Sequence, residues 1–153
     1  MSEFTDIYTQ ASKSFRAVVT VALRRHGLHL GQNLVLDALV ERDRQTPGEI
    51  AAALQVTTPT IVKMATRMAA AGLLVRERDT ADQRLVRLAL TNAGRQAFDP
   101  VAEELDNIEK RLTVGLTERE RATLFRLMRR VTTNARALLV EWDEEVGDAG
   151  VSH

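Results

Sequence analysis

Two helix starts stand only eleven residues apart, at Thr46 and Thr57, and that spacing limits what this chain can fold into more than any other feature. Thr46-Pro47-Gly48-Glu49 has the form of a capping box: threonine at the N-cap, proline at the first helical position and glutamate two residues later. Proline is tolerated there because the first amides of a helix have no partner within it. Ile50, Ala51 and Leu54 then supply about two turns of apolar stripe before Gln55 and Val56 lead to Thr57. Thr57 heads a second helix in which Ile61, Met64, Ala65, Met68 and Leu73 recur at helical spacing, and Gly72 is placed to end it in the left-handed region. A two-turn helix, a tight connection and a longer helix make a helix-turn-helix.

A hairpin comes next in the chain. Leu73 to Arg78 and Arg84 to Leu90 each alternate apolar with basic or polar side chains, and Asp79 to Gln83 form a charged tip between them. Strand alternation places Arg76, Arg78 and Arg84 on a polar face that Leu85 and Leu88 cannot both share. Three longer helices bracket this block. The first runs from Glu3 to His26 on a stripe of Ile7, Ala11, Phe15, Val18 and Ala22; the fifth starts at Thr91 and reaches Val114, with Pro100 inside it as a kink; the sixth opens at Thr117-Glu118-Arg119-Glu120 with capping-box spacing. Another helix, marked by Leu34, Val35, Leu36, Leu39 and Val40, stops in the charged run Glu41 to Arg44. The expected fold is mainly α with a small β-hairpin. It reads as one domain over residues 1–153, with a winged helix-turn-helix lobe at 46–90 and dimerisation helices at 1–27 and 91–146. Apolar stripes left over on the terminal helices are the reason to expect a homodimer.

Composition narrows the function classes. The chain has no cysteine, which excludes disulfides, thiolate metal sites and thiol-based redox sensing. It has no G-x-S-x-G, P-loop or H-E-x-x-H pattern, and Glu103-Glu104 belongs to an acidic helix face, so no enzyme is expected. No membrane span or secretory leader is expected, and the cytoplasm is the expected location. The net charge is zero, but residues 57–98 carry seven basic and three acidic side chains while residues 99–153 carry eight and twelve. Surface scatter explains such an asymmetry as readily as function does, so charge alone settles little.

In a helix-turn-helix the second helix enters the major groove by its N-terminal end. Thr57, Thr58, Thr60, Lys63 and Arg67 are therefore the candidates to meet bases and phosphates of double-stranded DNA. Against this, Thr57 and Thr60 are equally ordinary caps. Arg76, Arg78, Arg84 and Arg87 crowd guanidinium groups onto the hairpin, which suits an arm that tracks the DNA backbone into a narrow minor groove; the alternative is an edge strand protected by charge. Asp82 would repel phosphate and is expected instead to order the wing by pairing with Arg84 or a neighbouring arginine. No cofactor and no metal site are expected: His26 and His29 are three residues apart, but glycines on either side suggest a bend and no further ligands complete a site.

These features together resemble the MarR family, the multiple-antibiotic-resistance regulators, from about Leu28 to Arg95. Leu28-His29-Leu30-Gly31-Gln32 is similar to that family's second-helix opening, Gly72-Leu73-Leu74-Val75-Arg76 to its turn into the wing, Asp82-Gln83-Arg84 to its D-x-R signature and Leu90-Thr91-Asn92-Ala93-Gly94-Arg95 to its L-T-x-x-G-R restart of helix. His29, Asn33 and Gln55 depart from the pattern, standing where a capping hydroxyl, an aromatic and a glycine are usual. Gln55 costs about 1 kcal/mol if its position needs a left-handed residue. The resemblance implies a dimeric repressor on a pseudo-palindromic operator, released by a small aromatic or anionic effector bound between the dimer region and the DNA-binding lobe. Arg16, His26 and His29 are the polar groups near that place in the sequence. A winged-helix module for protein contacts and a metal-responsive regulator are the alternative readings.

Overall fold

A computed structural model describes residues 2–149. The chain forms α1 (Glu3–Arg25), α2 (Gln32–Glu41), α3 (Pro47–Leu54), α4 (Thr58–Ala70), β1 (Leu74–Arg78), β2 (Val86–Leu90), α5 (Asn92–Leu112) and α6 (Glu118–Ala149). The expected fold class is the observed one. The elements divide into two compact units, one through Glu109 and one from Lys110 onward. Among the described residues no helix is long and apolar enough to cross a membrane.

In the first unit the core is built where the short helices meet. Leu23 and Leu28 from α1 and the turn after it, Leu36 and Leu39 from α2, Ile50 from α3, Ile61 and Met68 from α4, and Leu74 and Leu88 from the hairpin are at most 1% exposed. Each such side chain contributes about 1.5–3 kcal/mol relative to staying in water. The capping box forms as its residues require: the Thr46 hydroxyl accepts from the Glu49 amide at 3.2 Å, and a Glu49 carboxylate oxygen accepts from the Thr46 amide at 2.8 Å. This bond to the Thr46 amide, then the charges of Arg42 and Arg87, hold the Glu49 carboxyl below its ordinary range despite some desolvation.

Buried Gln45 joins the helices to the hairpin. Its side-chain amide donates to the Ala38 and Arg42 carbonyls at 2.7 and 2.6 Å, and its own backbone carbonyl accepts from the Leu88 amide at 2.8 Å, forming an isolated antiparallel bridge to β2. The polar groups it carries into the core are thus partnered, as burial demands.

Gln55 takes the left-handed conformation at the end of α3, with φ 56° and ψ 47°. A side chain with a Cβ is strained there. Gln55→Gly is accordingly expected to raise stability by about 0.5–1 kcal/mol in urea melts, the strain relieved exceeding the entropy lost to glycine. An unchanged or lowered midpoint would show that the Gln55 side chain compensates.

The hairpin corrects two expectations. β2 begins at Val86 instead of Arg84, because the Asp82 carbonyl accepts from the Leu85 amide at 3.0 Å and the Asp82 carboxylate from the Arg84 amide at 3.0 Å, which folds Arg84 into the tip. The register pairs Arg76 with Leu88 and Arg78 with Val86. Directly opposed residues of an antiparallel ladder point to the same face, so Arg76 shares its face with buried Leu88 and not with a separate polar surface. Helix α5 is continuous through Pro100 and ends at Leu112, two residues before its expected end.

In the second unit, α6 opens on Thr117, whose hydroxyl accepts from the Glu120 amide at 3.2 Å while Glu120 accepts from the Thr117 amide at 2.7 Å. The bonds from Thr117 lower the Glu120 carboxyl below its usual range. Leu124, Leu127, Met128, Leu138, Leu139, Val140 and Trp142 are all exposed along this helix.

Candidate nucleic-acid interface

Helix α4 buries Ile61, Ala65 and Met68 and turns its opposite face outward. Lys63 and Arg67 are exposed on that face, Thr58 is exposed at the first residue of the helix, Thr57 is exposed at the N-cap and Thr60 is half-buried. The Thr57 and Thr60 hydroxyls bond to each other at 2.8 Å, closing the start of the helix. Lys63 and Arg67 have no hydrogen bond or ion pair among the described residues, so both charges are free to meet an anion.

The wing arginines fall into two classes that their spacing does not reveal. Arg76 reaches across to α4, bonding the Thr66 hydroxyl and lying 3.4 Å from the Val62 carbonyl. Arg78 donates to the Gln83 carbonyl at 2.8 Å and braces the tip. Arg87 bonds Asp79, donates to the Arg44 carbonyl at 3.0 Å and lies 3.4 Å from Glu49. A neighbouring pair, Arg44 with Glu77, ties the loop before α3 to β1. Only Arg84 among these arginines projects a guanidinium with no partner among the described residues. Because Arg76 ties β1 to the exposed turn of α4, the wing and the outward face of α4 adjoin on one side of the unit.

Asp82 acts differently from its expected role. It holds the Arg84 amide instead of an arginine side chain. The residue that organises the tip is Asp79: one carboxylate oxygen accepts from the Ala81 and Asp82 amides, both at 2.8 Å, and the other from Arg87. This is an Asx turn, and an aspartate two residues before Ala81 in a polar tip was the signal for it. The Arg87 hydrogen bond first, and then the two amides, lower the Asp79 carboxyl from 3.8 to about 2, and Asp79 in turn raises Arg87. A depressed carboxyl stabilises the fold only while ionised, so the ordering it provides is complete above about pH 4 and is lost as pH falls toward about 2. Carbon-detected NMR of the Asp79 carboxyl is expected to show a midpoint near pH 2; a midpoint near 4 would mean that the tip is not organised this way.

The three effector candidates are not brought together. His26 Nε2 lies 3.4 Å from Glu104, which also pairs with Arg25 at 3.2 Å. His29 is exposed, its amide donating to the Gln32 side chain at 3.0 Å. Arg16 is exposed on α1, ten residues or about 15 Å of helix before His26. Among the described residues no three histidine, aspartate or glutamate side chains are grouped to hold a metal ion.

Residues 26–85, which span α2, the helix-turn-helix and the first arm of the wing, match the MarR family. Within that segment the chain is similar to the MarR family. The family is one of transcription regulators and not of enzymes. Solved structures share the MarR fold well beyond the matched segment. A probable transcriptional regulator from Pseudomonas aeruginosa is 23% identical, covers 85% of this chain and 97% of its own, and superposes with a TM-score of 0.78. The MepR–DNA complex of S. aureus is 21% identical over 88% of this chain and 99% of its own, with a TM-score of 0.79. The PcaV transcriptional regulator of Streptomyces coelicolor, in complex with its natural ligand, is 21% identical over 88% and 98%, with a TM-score of 0.75. At these identities the likeness establishes the MarR fold alone. No curated protein matches the sequence.

Proposed function

We propose that this protein is a transcription regulator that binds a pseudo-palindromic operator as a homodimer, with α4 in the major groove and the wing along the adjacent minor groove. The observation that carries this reading is the division of the cations: Arg76, Arg78 and Arg87 build the wing, while Lys63, Arg67 and Arg84 are left exposed and unpaired on α4 and the wing tip it adjoins. Free cations suit phosphate: Lys63 lies in the N-terminal half of α4 and Arg67 in its last turn, while Thr57, Thr58 and Thr60 stand at the helix N-terminus. MepR was solved with DNA and PcaV with its natural ligand, which supports DNA and an effector as partners here.

The homodimer is proposed from the apolar surface that a lone chain leaves wet. Phe4, Ile7, Tyr8 and Phe15 on α1 are each more than half exposed, as are Leu139 and Trp142 on α6. Two copies burying these stripes remove that exposure and present two recognition helices related by a two-fold axis. The regulator is proposed to act as a repressor in the cytoplasm, released from DNA by a small aromatic or anionic effector. Titration of the intact protein with the DNA upstream of its own gene, at several salt concentrations, tests the reading: nanomolar binding with a steep loss of affinity on added salt is expected. Sedimentation in the same buffer is expected to give two chains. Absence of salt-dependent binding would favour a winged helix used for protein contacts, and a stable folded monomer at micromolar concentration would overturn the dimer.

A further inference from the structure

The hydroxyls on the outward side of α4 are largely engaged inside the protein. Thr57 and Thr60 bond to each other, and the Thr66 hydroxyl donates to the Val62 carbonyl at 2.9 Å while also meeting Arg76. Among the polar groups of that face this leaves Thr58, Lys63 and Arg67 for a ligand. The same face carries an apolar side chain that the polar reading of the interface leaves unexplained. Val62 is 43% exposed, and among the described residues it is the one large hydrophobic exposed on α4. It lies in the N-terminal half of the helix, one turn from both Thr58 and Thr66 and next to Lys63.

Two features make Val62 suited to recognition. A β-branched residue is a poor choice for an exposed helix position, where alanine, lysine or glutamate is favoured, so propensity does not account for it. Its position is also held firmly: Val62 has one strongly preferred helical rotamer, and its carbonyl is bonded by Thr66 and approached by Arg76 from the wing. A rigid apolar group at the N-terminal part of a recognition helix faces base edges. In the major groove the apolar feature those edges present is the C5-methyl group of thymine.

We infer that Val62 reads a thymine methyl group in each half-site and so sets sequence preference at that base pair. The inference rests on the DNA-binding reading above. Its test begins with duplexes enriched by the parent protein from a randomised library. Each thymine of the enriched sequence is then replaced by deoxyuridine, which removes the methyl and leaves every hydrogen-bonding group in place. At one base pair per half-site the parent is expected to lose affinity about four-fold, and about fifteen-fold when both half-sites are changed. Val62→Ala, with an unchanged melting temperature, is expected to bind thymine and uracil duplexes alike, at about the affinity of the parent for the uracil duplex. Insensitivity of the parent to every such replacement would overturn the inference, as would a uracil penalty that persists in Val62→Ala. A parent that enriches no sequence and binds no duplex would overturn the DNA-binding reading and this inference with it.

Discussion

Gly94→Ala is expected to destabilise the winged-helix unit by about 3 kcal/mol, at the upper end of what overpacking a core usually costs. Gly94 is buried in the first turn of α5, and a Cβ built there would stand 2.0 Å from the Leu73 carbonyl oxygen, 3.0 Å from its carbon and 3.1 Å from Leu90 Cδ2. The nearest neighbour is backbone, so no rotamer change can relieve the clash. The Leu73 carbonyl cannot retreat freely either, because it accepts from the Thr91 amide at 3.2 Å, while the Thr91 hydroxyl donates to the Gly72 carbonyl at 2.6 Å and accepts from the Gly94 amide at 3.1 Å. Two chain segments are thereby stitched together where the wing leaves α4 and returns to α5. Gly48→Ala is the matched control: its Cβ meets nothing closer than the Thr46 hydroxyl at 4.0 Å, and it is expected to be neutral or to stabilise by up to about 1 kcal/mol. Urea melts monitored by circular dichroism, at one protein concentration, separate the two; equal midpoints would show that α5 does not approach the wing base this closely.

Arg84→Ala is expected to lower DNA affinity by about 1–3 kcal/mol per contact and to reduce the salt slope by about one for each phosphate it neutralises. Folding is expected to be unchanged, because Arg84 contributes to the tip only through its amide, bonded to Asp82 at 3.0 Å, and alanine keeps that amide. Arg84→Lys is expected to retain the salt slope while losing any forked contact. Arg78→Ala should behave otherwise, since its guanidinium donates to the Gln83 carbonyl and its removal loosens the tip before it alters any charge at the DNA. Fluorescence anisotropy at several salt concentrations, paired with thermal melts, distinguishes these outcomes. An Arg84→Ala variant that binds like the parent would remove the wing from the interface.

The parts of this fold that depend on neighbours in the chain were legible in the sequence. The Thr46–Glu49 box needs only four consecutive residues, and it forms. The stop at Gln55 was legible through the family resemblance, which marks that position for a left-handed residue even though glutamine occupies it. What depended on distant partners was not legible. The pairing of Arg76 with Leu88 is set by the length of the tip, and alternation along one strand cannot reveal it. Arg87 is sorted from Arg84 by Glu49 and the Arg44 carbonyl, 38 and 43 residues away in the chain. Arg16, His26 and His29 were drawn from the family resemblance, and their positions in the sequence carried no information about direction or mutual distance. Val62 escaped notice for another reason: it falls outside the stripe of Ile61, Met64, Ala65 and Met68, and its exposure is not visible in the sequence.

Hydroxyl-radical footprinting of the intact protein on the duplex it enriches from a randomised library tests the central claim most directly. Two copies of α4 related by a two-fold axis should protect two symmetric patches whose centres lie one helical turn apart, about 10–10.5 base pairs or a multiple of that spacing. Flanking protection where the wings track the minor groove is expected to disappear in Arg84→Ala. A single unsymmetric patch, or a uniform ladder at protein concentrations that saturate binding, would contradict the account.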